Sequence, residues 1–145
     1  MENAATNDGR SAGVLKPQPI PNNMFNVPVT FDSFFRLWLI FLRPFVYLTD
    51  REIQVMSSFL KHRYRLSKVI TDPVILDSQL LSKDVREQVA EDCNISQQHL
   101  YVIIGNLRKH NIITDKGINQ KLVPNIREND DGTFRVLIRF VEDKA

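Results

Sequence analysis

The sequence is poor in the residues that build disulfides, metal sites and phosphate-binding loops. Its 145 residues include one cysteine, three histidines and five glycines. The single cysteine, Cys93, cannot form an internal disulfide, and residues 1–13 are polar, without the apolar run of a signal peptide. Both absences indicate a reducing environment, so we expect that the protein is not secreted.

Signatures of enzyme chemistry are missing as well. His62, His99 and His110 have no metal-ligand spacing with Cys93, and neither a glycine-rich phosphate loop nor a nucleophile elbow occurs. Cys93 falls on the inward side of a predicted helix, where a core thiol is commoner than a nucleophile. We therefore expect a non-enzymatic protein with no metal, no cofactor and no small-molecule substrate.

A surplus of one charge sign is also lacking. The net charge is only +2, whereas a nucleic-acid binder usually carries a strong basic surplus. One local basic cluster has two interpretations, a solvated helix end or a phosphate-contacting patch. Its residues are Lys61, His62, Arg63, Arg65 and Lys68.

Residues 31–48 are apolar on nearly every side. We predict a helix that Pro44 ends or kinks near Arg43. The run is shorter than the roughly 20 apolar residues that span a bilayer, so we expect no membrane contact. A helix that is apolar all round must be covered all round, either by its own domain or by another chain. We predict a partner or dimerisation interface formed by Phe34, Phe35, Trp38, Leu39, Phe41, Leu42 and Phe45.

This helix separates an extended arm, residues 1–30, from a domain, residues 49–145. The arm contains glycines and prolines and too few large apolar side chains to fold alone. In the domain, Thr49 and Glu52 have the spacing of a capping box that starts a helix. A second start signal is Pro73, after which residues 74–81 form either a short helix or an irregular link.

Residues 82–110 have the spacing of two crossed helices. Ser82 and Ser96 are suitable N-caps for helices over residues 83–93 and 97–110, and Asn94 suits a left-handed stop between them. Such a crossing needs a small contact residue, a tight turn and an apolar plug. The inward positions that supply them are Val89, Ala90, Cys93, Ile95, Leu100, Ile103 and Leu107.

After the second of these helices the apolar pattern changes from helical to alternating. Asn129–Gly132 has the composition of a hairpin turn, and the strand predicted after it covers residues 133–141. One face of this strand carries Phe134, Val136, Ile138 and Phe140.

Two helices in this spacing, followed by strand, turn and strand, resemble the winged helix-turn-helix superfamily. The resemblance implies an α+β, mostly α fold of three to four helices plus a C-terminal β-hairpin wing, with the arm and the apolar helix as additions. It also implies possible DNA contacts by the second helix and the wing. These would be Gln97, Gln98, His99, Tyr101, Lys109, Lys116, Lys121 and Arg127.

A second resemblance rests on residues 107–109, 118–119 and 121–125. These short segments, LRK, IN and KLVPN, resemble segments of small proteins encoded among the virion genes of crAss-like tailed phages. That resemblance implies a structural role near the portal, connector or tail, in a virion or in host cytoplasm. We expect contacts with other protein subunits, in a homo-oligomer or larger assembly. The alternative is a DNA-binding regulator or replication-initiator-like protein.

Overall fold

Five α-helices and two short β-hairpins make up residues 23–144, which are the residues described in this computed structural model. The helices are α1 Phe31–Leu42, α2 Asp50–Ser67, α3 Pro73–Leu80, α4 Lys83–Cys93 and α5 Gln97–Lys109. The strands are β1 Ile113–Thr114, β2 Gly117–Ile118, β3 Ile126–Glu128 and β4 Phe134–Val136, with a 3-10 turn at Gln120–Leu122 between β2 and β3. The mostly helical α+β class predicted from the sequence is confirmed.

The arm predicted at residues 1–30 lies largely outside the described residues. Its described part contains neither helix nor strand up to Thr30, the N-cap of α1. Thr30 and Ser33 form a capping box, which was not among the helix starts predicted from the sequence. Helix α1 ends at Leu42, so the effect predicted for Pro44 is confirmed and the helix is shorter than residues 31–48.

Helix starts and stops follow the local signals. The Thr49 N–H donates to Glu52 Oε1 at 2.9 Å and the Glu52 N–H donates to Thr49 Oγ1 at 3.2 Å, which is the predicted capping box. Asp72 accepts from the N–H of Val74, and α3 resolves the open alternative for residues 74–81 in favour of a helix. Asn94 ends α4 with φ 54°, in the predicted left-handed conformation.

Helix α2 lies at the centre of the fold, in contact with all four other helices. Its inward side chains Ile53, Met56, Phe59 and Leu60 are almost completely buried. The inward positions predicted for the crossed pair α4 and α5 are buried too, except that Ile95 is half-buried and packs against the core. The helical core therefore follows the apolar periodicity of the sequence.

The β3–β4 hairpin is shorter than predicted. Ile126 pairs with Val136 and Glu128 with Phe134, and the last cross-strand bond runs from the Leu137 N–H to the Asn125 carbonyl at 3.3 Å. The strand predicted over residues 133–141 is therefore wrong beyond Val136. Opposite that point the chain comes directly out of the 3-10 turn, whose C-cap is Val123, so little extended chain remains to pair with residues beyond Leu137.

Aromatic side chains attach this hairpin to α1. The Phe134 ring stacks on the Phe31 ring at 5.2 Å and meets the Phe34 ring edge-on at 4.9 Å. On the opposite flank of the ring cluster, Phe31 stacks on Tyr64 of α2 at 4.9 Å. The hairpin that was expected to be a C-terminal wing is thus held by α1 and α2.

Candidate interaction surfaces

Helix α1 has a buried face and an open face. Phe34, Phe35, Trp38 and Leu39 are buried in the chain's own core, and the Trp38 indole N–H donates to the Leu122 carbonyl at 2.8 Å. These four residues were expected to form a partner interface, and the structure corrects that expectation. They are covered by α2, by the 3-10 turn and by the β3–β4 hairpin of the same chain.

The open face of α1 is apolar as well. Leu37, Ile40 and Phe41 are 42%, 38% and 44% exposed, and Phe45 in the following turn is 73% exposed. The Phe41 ring lies 6.2 Å from the Trp38 ring and 6.5 Å from the Phe45 ring, so a row of aromatic rings leads from the core to the surface. We call Leu37, Ile40, Phe41 and Phe45 the α1 outer face.

Of the seven predicted interface residues, the structure therefore leaves Phe41 and Phe45 on the surface and Leu42 half-buried. Leu37 and Ile40 were missed. The signal that could have found them is the helical period itself, because Leu37, Ile40 and Phe41 have the i, i+3, i+4 spacing of one face. What the period cannot reveal is which of two apolar faces the rest of the chain covers.

Exposed apolar side chains also occur just before and just after α1 in the sequence. Met24, Phe25 and Val27 precede the helix, and Tyr47 follows it with 81% of its surface exposed. Large apolar patches on a soluble surface are typical of contact sites.

The predicted DNA contacts of α5 are exposed. Gln97, Gln98 and His99 lie in its first turn and Lys109 lies in its last. Tyr101 is exposed but bound to Arg86. The Arg86 guanidinium donates to the Tyr101 hydroxyl at 2.6 Å, and its Cζ lies 5.2 Å from the centroid of the ring. One surface of α4 carries acidic side chains, which would repel phosphate: Asp84, Glu87 and Glu91.

The remaining predicted DNA contacts are exposed and scattered. Lys116 lies in the β1–β2 turn, Lys121 in the 3-10 turn and Arg127 on β3. Arg127 stands directly across from Arg135 of β4, and no salt bridge to either side chain occurs within the described residues. Arg135 was missed because cross-strand neighbours depend on the register, which the sequence left open.

The basic cluster of α2 is paired with carboxylates and is not a free phosphate patch. Lys61 Nζ lies 3.3 Å from Asp32, His62 Nε2 lies 3.0 Å from Asp92, and Lys68 is bonded to Glu128. Arg63 and Asp77 form a further pair at 3.5 Å, with both side chains mostly buried, and Arg65 lies 4.0 Å from Asp32. These contacts tie α2 to α1, α3, α4 and β3.

A cavity of about 290 Å³ lies between the end of α2 and β3. Its floor includes Phe35 and Leu60, and its rim includes Tyr64, Lys68 and Glu128. Tyr64 and Lys68 both donate to the Glu128 carboxylate. Burial and the bond to Glu128 raise the pKa of Tyr64, while the bonds from Lys68 and Tyr64 lower the pKa of Glu128.

Cys93 is a core residue. The thiol is buried and donates to the Gln54 carbonyl at 3.6 Å, and burial raises the pKa of the Cys93 thiol, which disfavours the nucleophilic thiolate. Among residues 23–144, no three His, Cys, Asp or Glu side chains cluster as metal ligands.

No protein-family model, curated protein or solved structure matches the chain. In the described part of the chain, none of the helices combines the length and the hydropathy that a bilayer crossing requires.

Proposed function

We propose that this protein is a non-enzymatic binding module that assembles with other protein subunits through the α1 outer face. The proposal rests on one observation: Leu37, Ile40, Phe41 and, just after the helix, Phe45 are exposed, while the opposite face of α1 is buried in the core. Aromatic side chains are enriched at the centres of protein interfaces. Once buried by a partner, they supply most of the binding free energy there.

The winged helix-turn-helix arrangement is part of this proposal. The order of α4, a tight turn at Asn94, α5 and two hairpins supports it. The attachment of the β3–β4 hairpin to α1 by Phe134 gives this arrangement an unusual wing, one that stabilises the helix that carries the contact surface. The sequence resemblance suggests a tailed-phage virion, near the portal, connector or tail, as the setting.

The proposal predicts that the purified full chain self-associates or assembles through α1. Light scattering after size exclusion should give a defined oligomer whose mass falls in a Phe41→Ser/Phe45→Ser variant. A matched control is Val74→Ser/Ile75→Ser, because both of these α3 side chains are more than half exposed and lie outside the α1 outer face. Equal losses in both variants, or no loss in either, would contradict the proposal.

Duplex DNA is the second candidate partner, favoured by one specific observation. The like-charged neighbours Arg127 and Arg135 destabilise the hairpin unless an anion lies between them. Phosphate binding weakens steeply with salt, so the affinity for a mixed-sequence duplex at two salt concentrations tests this candidate. Tight, salt-sensitive binding that is lost in Arg127→Gln/Arg135→Gln and in Gln97→Ala/Gln98→Ala would favour it over subunit assembly.

A further inference from the structure

The residues after β4 have the sequence of a strand, but none of residues 23–144 forms a partner strand for them. Residues 137–141 include the β-branched Ile138 and Val141 and the aromatic Phe140, which favour strands, and they contain no proline or glycine. Yet the strand ends at Val136, and beyond Leu137 none of these residues forms a hydrogen bond within the described chain. The exposed fractions of Ile138, Phe140 and Val141 are 47%, 86% and 76%.

The outer edge of β4 is open as well. The bonds from Asn129 to Thr133 and from Leu137 to Asn125 make the odd-numbered residues of β4 the ones bonded to β3. The N–H and C=O groups of Phe134 and Val136 therefore point to the other side, where the described chain provides no acceptor or donor for them. An unpaired edge followed by an apolar, unpaired segment is a template for adding a strand from another chain.

We propose that residues 136–142 pair with the same residues of a second copy of this chain, antiparallel and around a two-fold axis at Arg139. The argument for a second copy is that the segment is complementary to itself. In this register Ile138 lies opposite the second copy's Phe140, and Leu137 lies opposite its Val141. Both are the apolar cross-strand pairs that stabilise a sheet.

The pleat restricts the register. The even-numbered residues carry the outward N–H and C=O groups, so Ile138 of one copy exchanges backbone hydrogen bonds with Phe140 of the other. A shift of one residue would turn every side chain to the wrong face of the sheet. A shift of two residues in one direction places Leu137 opposite Arg139. The same shift in the other direction places Ile138 opposite Glu142, so neither shifted register keeps both apolar pairs.

The cost of this register is one like-charged pair, because Arg139 stands opposite its own copy. A two-stranded contact of this length is weak by itself, so we expect an equilibrium that depends on concentration. The contact uses β4 and the segment after it, and it is independent of the α1 outer face. Together the two surfaces would allow assemblies larger than a dimer.

Sedimentation velocity of the full chain between about 10 µM and 1 mM tests the proposal, this range being where weak contacts associate. We expect a reversible dimer that Phe140→Pro weakens at least tenfold, because the proline lacks the N–H that bonds to Ile138. Val141→Pro should weaken it much less, since the Val141 N–H points away from the second copy. Phe140→Val keeps the N–H and should retain the dimer. Both sites follow the last bonded residue of the hairpin, and thermal unfolding of each of the three variants checks that the fold is unchanged.

A mixing experiment tests the register. When the wild-type chain is mixed with Arg139→Glu, the like-charged pair becomes an opposite-charged pair only in the heterodimer. We expect heterodimers to exceed the statistical fraction several-fold, with an excess that falls as salt is added. A wild-type chain that stays monomeric at 1 mM, or a dimer that survives Phe140→Pro but is lost in Phe41→Ser/Phe45→Ser, overturns the proposal. The second result would still support assembly through α1.

Discussion

The Trp38 indole N–H and the Leu122 carbonyl oxygen form a buried hydrogen bond of 2.8 Å across 84 residues of sequence. The bond joins α1 to the 3-10 turn that precedes the β3–β4 hairpin. Trp38→Phe leaves that carbonyl buried without its donor, which costs about 1–3 kcal/mol of unfolding free energy. Urea denaturation measures the loss, and Tyr47→Phe, which removes an exposed hydroxyl, should change stability by less than about 0.5 kcal/mol. Equal effects would mean that the bond contributes nothing.

Asp92 connects α4 to α2. Its Oδ2 accepts from the Ser58 hydroxyl at 2.9 Å and lies 3.0 Å from His62 Nε2. Burial raises the pKa of Asp92, but the bonds to Ser58 and His62 and the charge of Lys61 outweigh burial and lower the pKa below its ordinary value of 3.8. A lowered pKa in the folded state means that ionised Asp92 stabilises the fold above pH 3.8, and that this stability is lost as the pH falls further.

Asp92→Asn should therefore lower stability by about 1 kcal/mol at neutral pH, since one charged hydrogen-bond acceptor is replaced by a neutral one. The gap between wild type and variant should narrow as the pH falls below 3.8. Chemical denaturation at a series of pH values measures the gap. A gap that stays constant down to pH 2 would show that the carboxylate charge is not what stabilises the contact.

Gly117 and Gly132 form a matched pair of glycines with positive φ. Gly117 has φ 112°, and a Cβ added there would lie 2.8 Å from the Cβ of Asp77. The Asp77 carboxylate forms a salt bridge with Arg63. Gly132 has φ 83° and nothing within 4 Å of the added Cβ. Gly132→Ala should cost about 1 kcal/mol for the backbone conformation alone. Gly117→Ala should cost at least about 2 kcal/mol, because a steric clash adds to the strain. Thermal unfolding compares them, and equal costs would show that Asp77 moves away freely.

Asn94 reports on the turn between α4 and α5. At φ 54° an alanine would be strained, whereas a glycine would not. We expect Asn94→Ala to lower the unfolding free energy by about 1 kcal/mol and Asn94→Gly to leave it nearly unchanged. Denaturant unfolding of the two variants side by side tests this, and a loss that is equal in both would point to the Asn94 side chain and not to its backbone.

Local signals in the sequence predicted the helices well. The caps Thr49, Ser82 and Ser96 and the helix ends at Asn94 and near Arg43 depend on bonds and sterics within four or five residues, so they can be predicted from the sequence alone. The inward faces of α4 and α5 followed from the same helical period. The strand predicted to Val141 was wrong because it depended on a distant residue. An alternating apolar pattern shows that a segment can form a strand, but it does not show whether another strand lies beside it to pair with.

The surface was harder to predict than the core. Periodicity marked α1 as apolar all round, but only the fold decides that Phe35 is covered by α2 while Phe41 is not. In the same way, the charges of Lys61, His62 and Lys68 left open a solvated helix end or a phosphate patch, and the acidic partners of these side chains come from three distant parts of the chain. Such pairings depend on tertiary geometry, which residue spacing does not contain.

The position of Leu122 has a consequence for biosynthesis. Because Leu122 is synthesised 84 residues after Trp38, α1 leaves the ribosome before the 3-10 turn that covers Trp38 has been made. At elongation rates of about 5–20 residues per second, that delay is about 4–17 s. During this interval Trp38 lacks that part of its cover, so the nascent chain exposes Trp38 as well as the α1 outer face, and a chaperone could bind the segment that we assign to assembly.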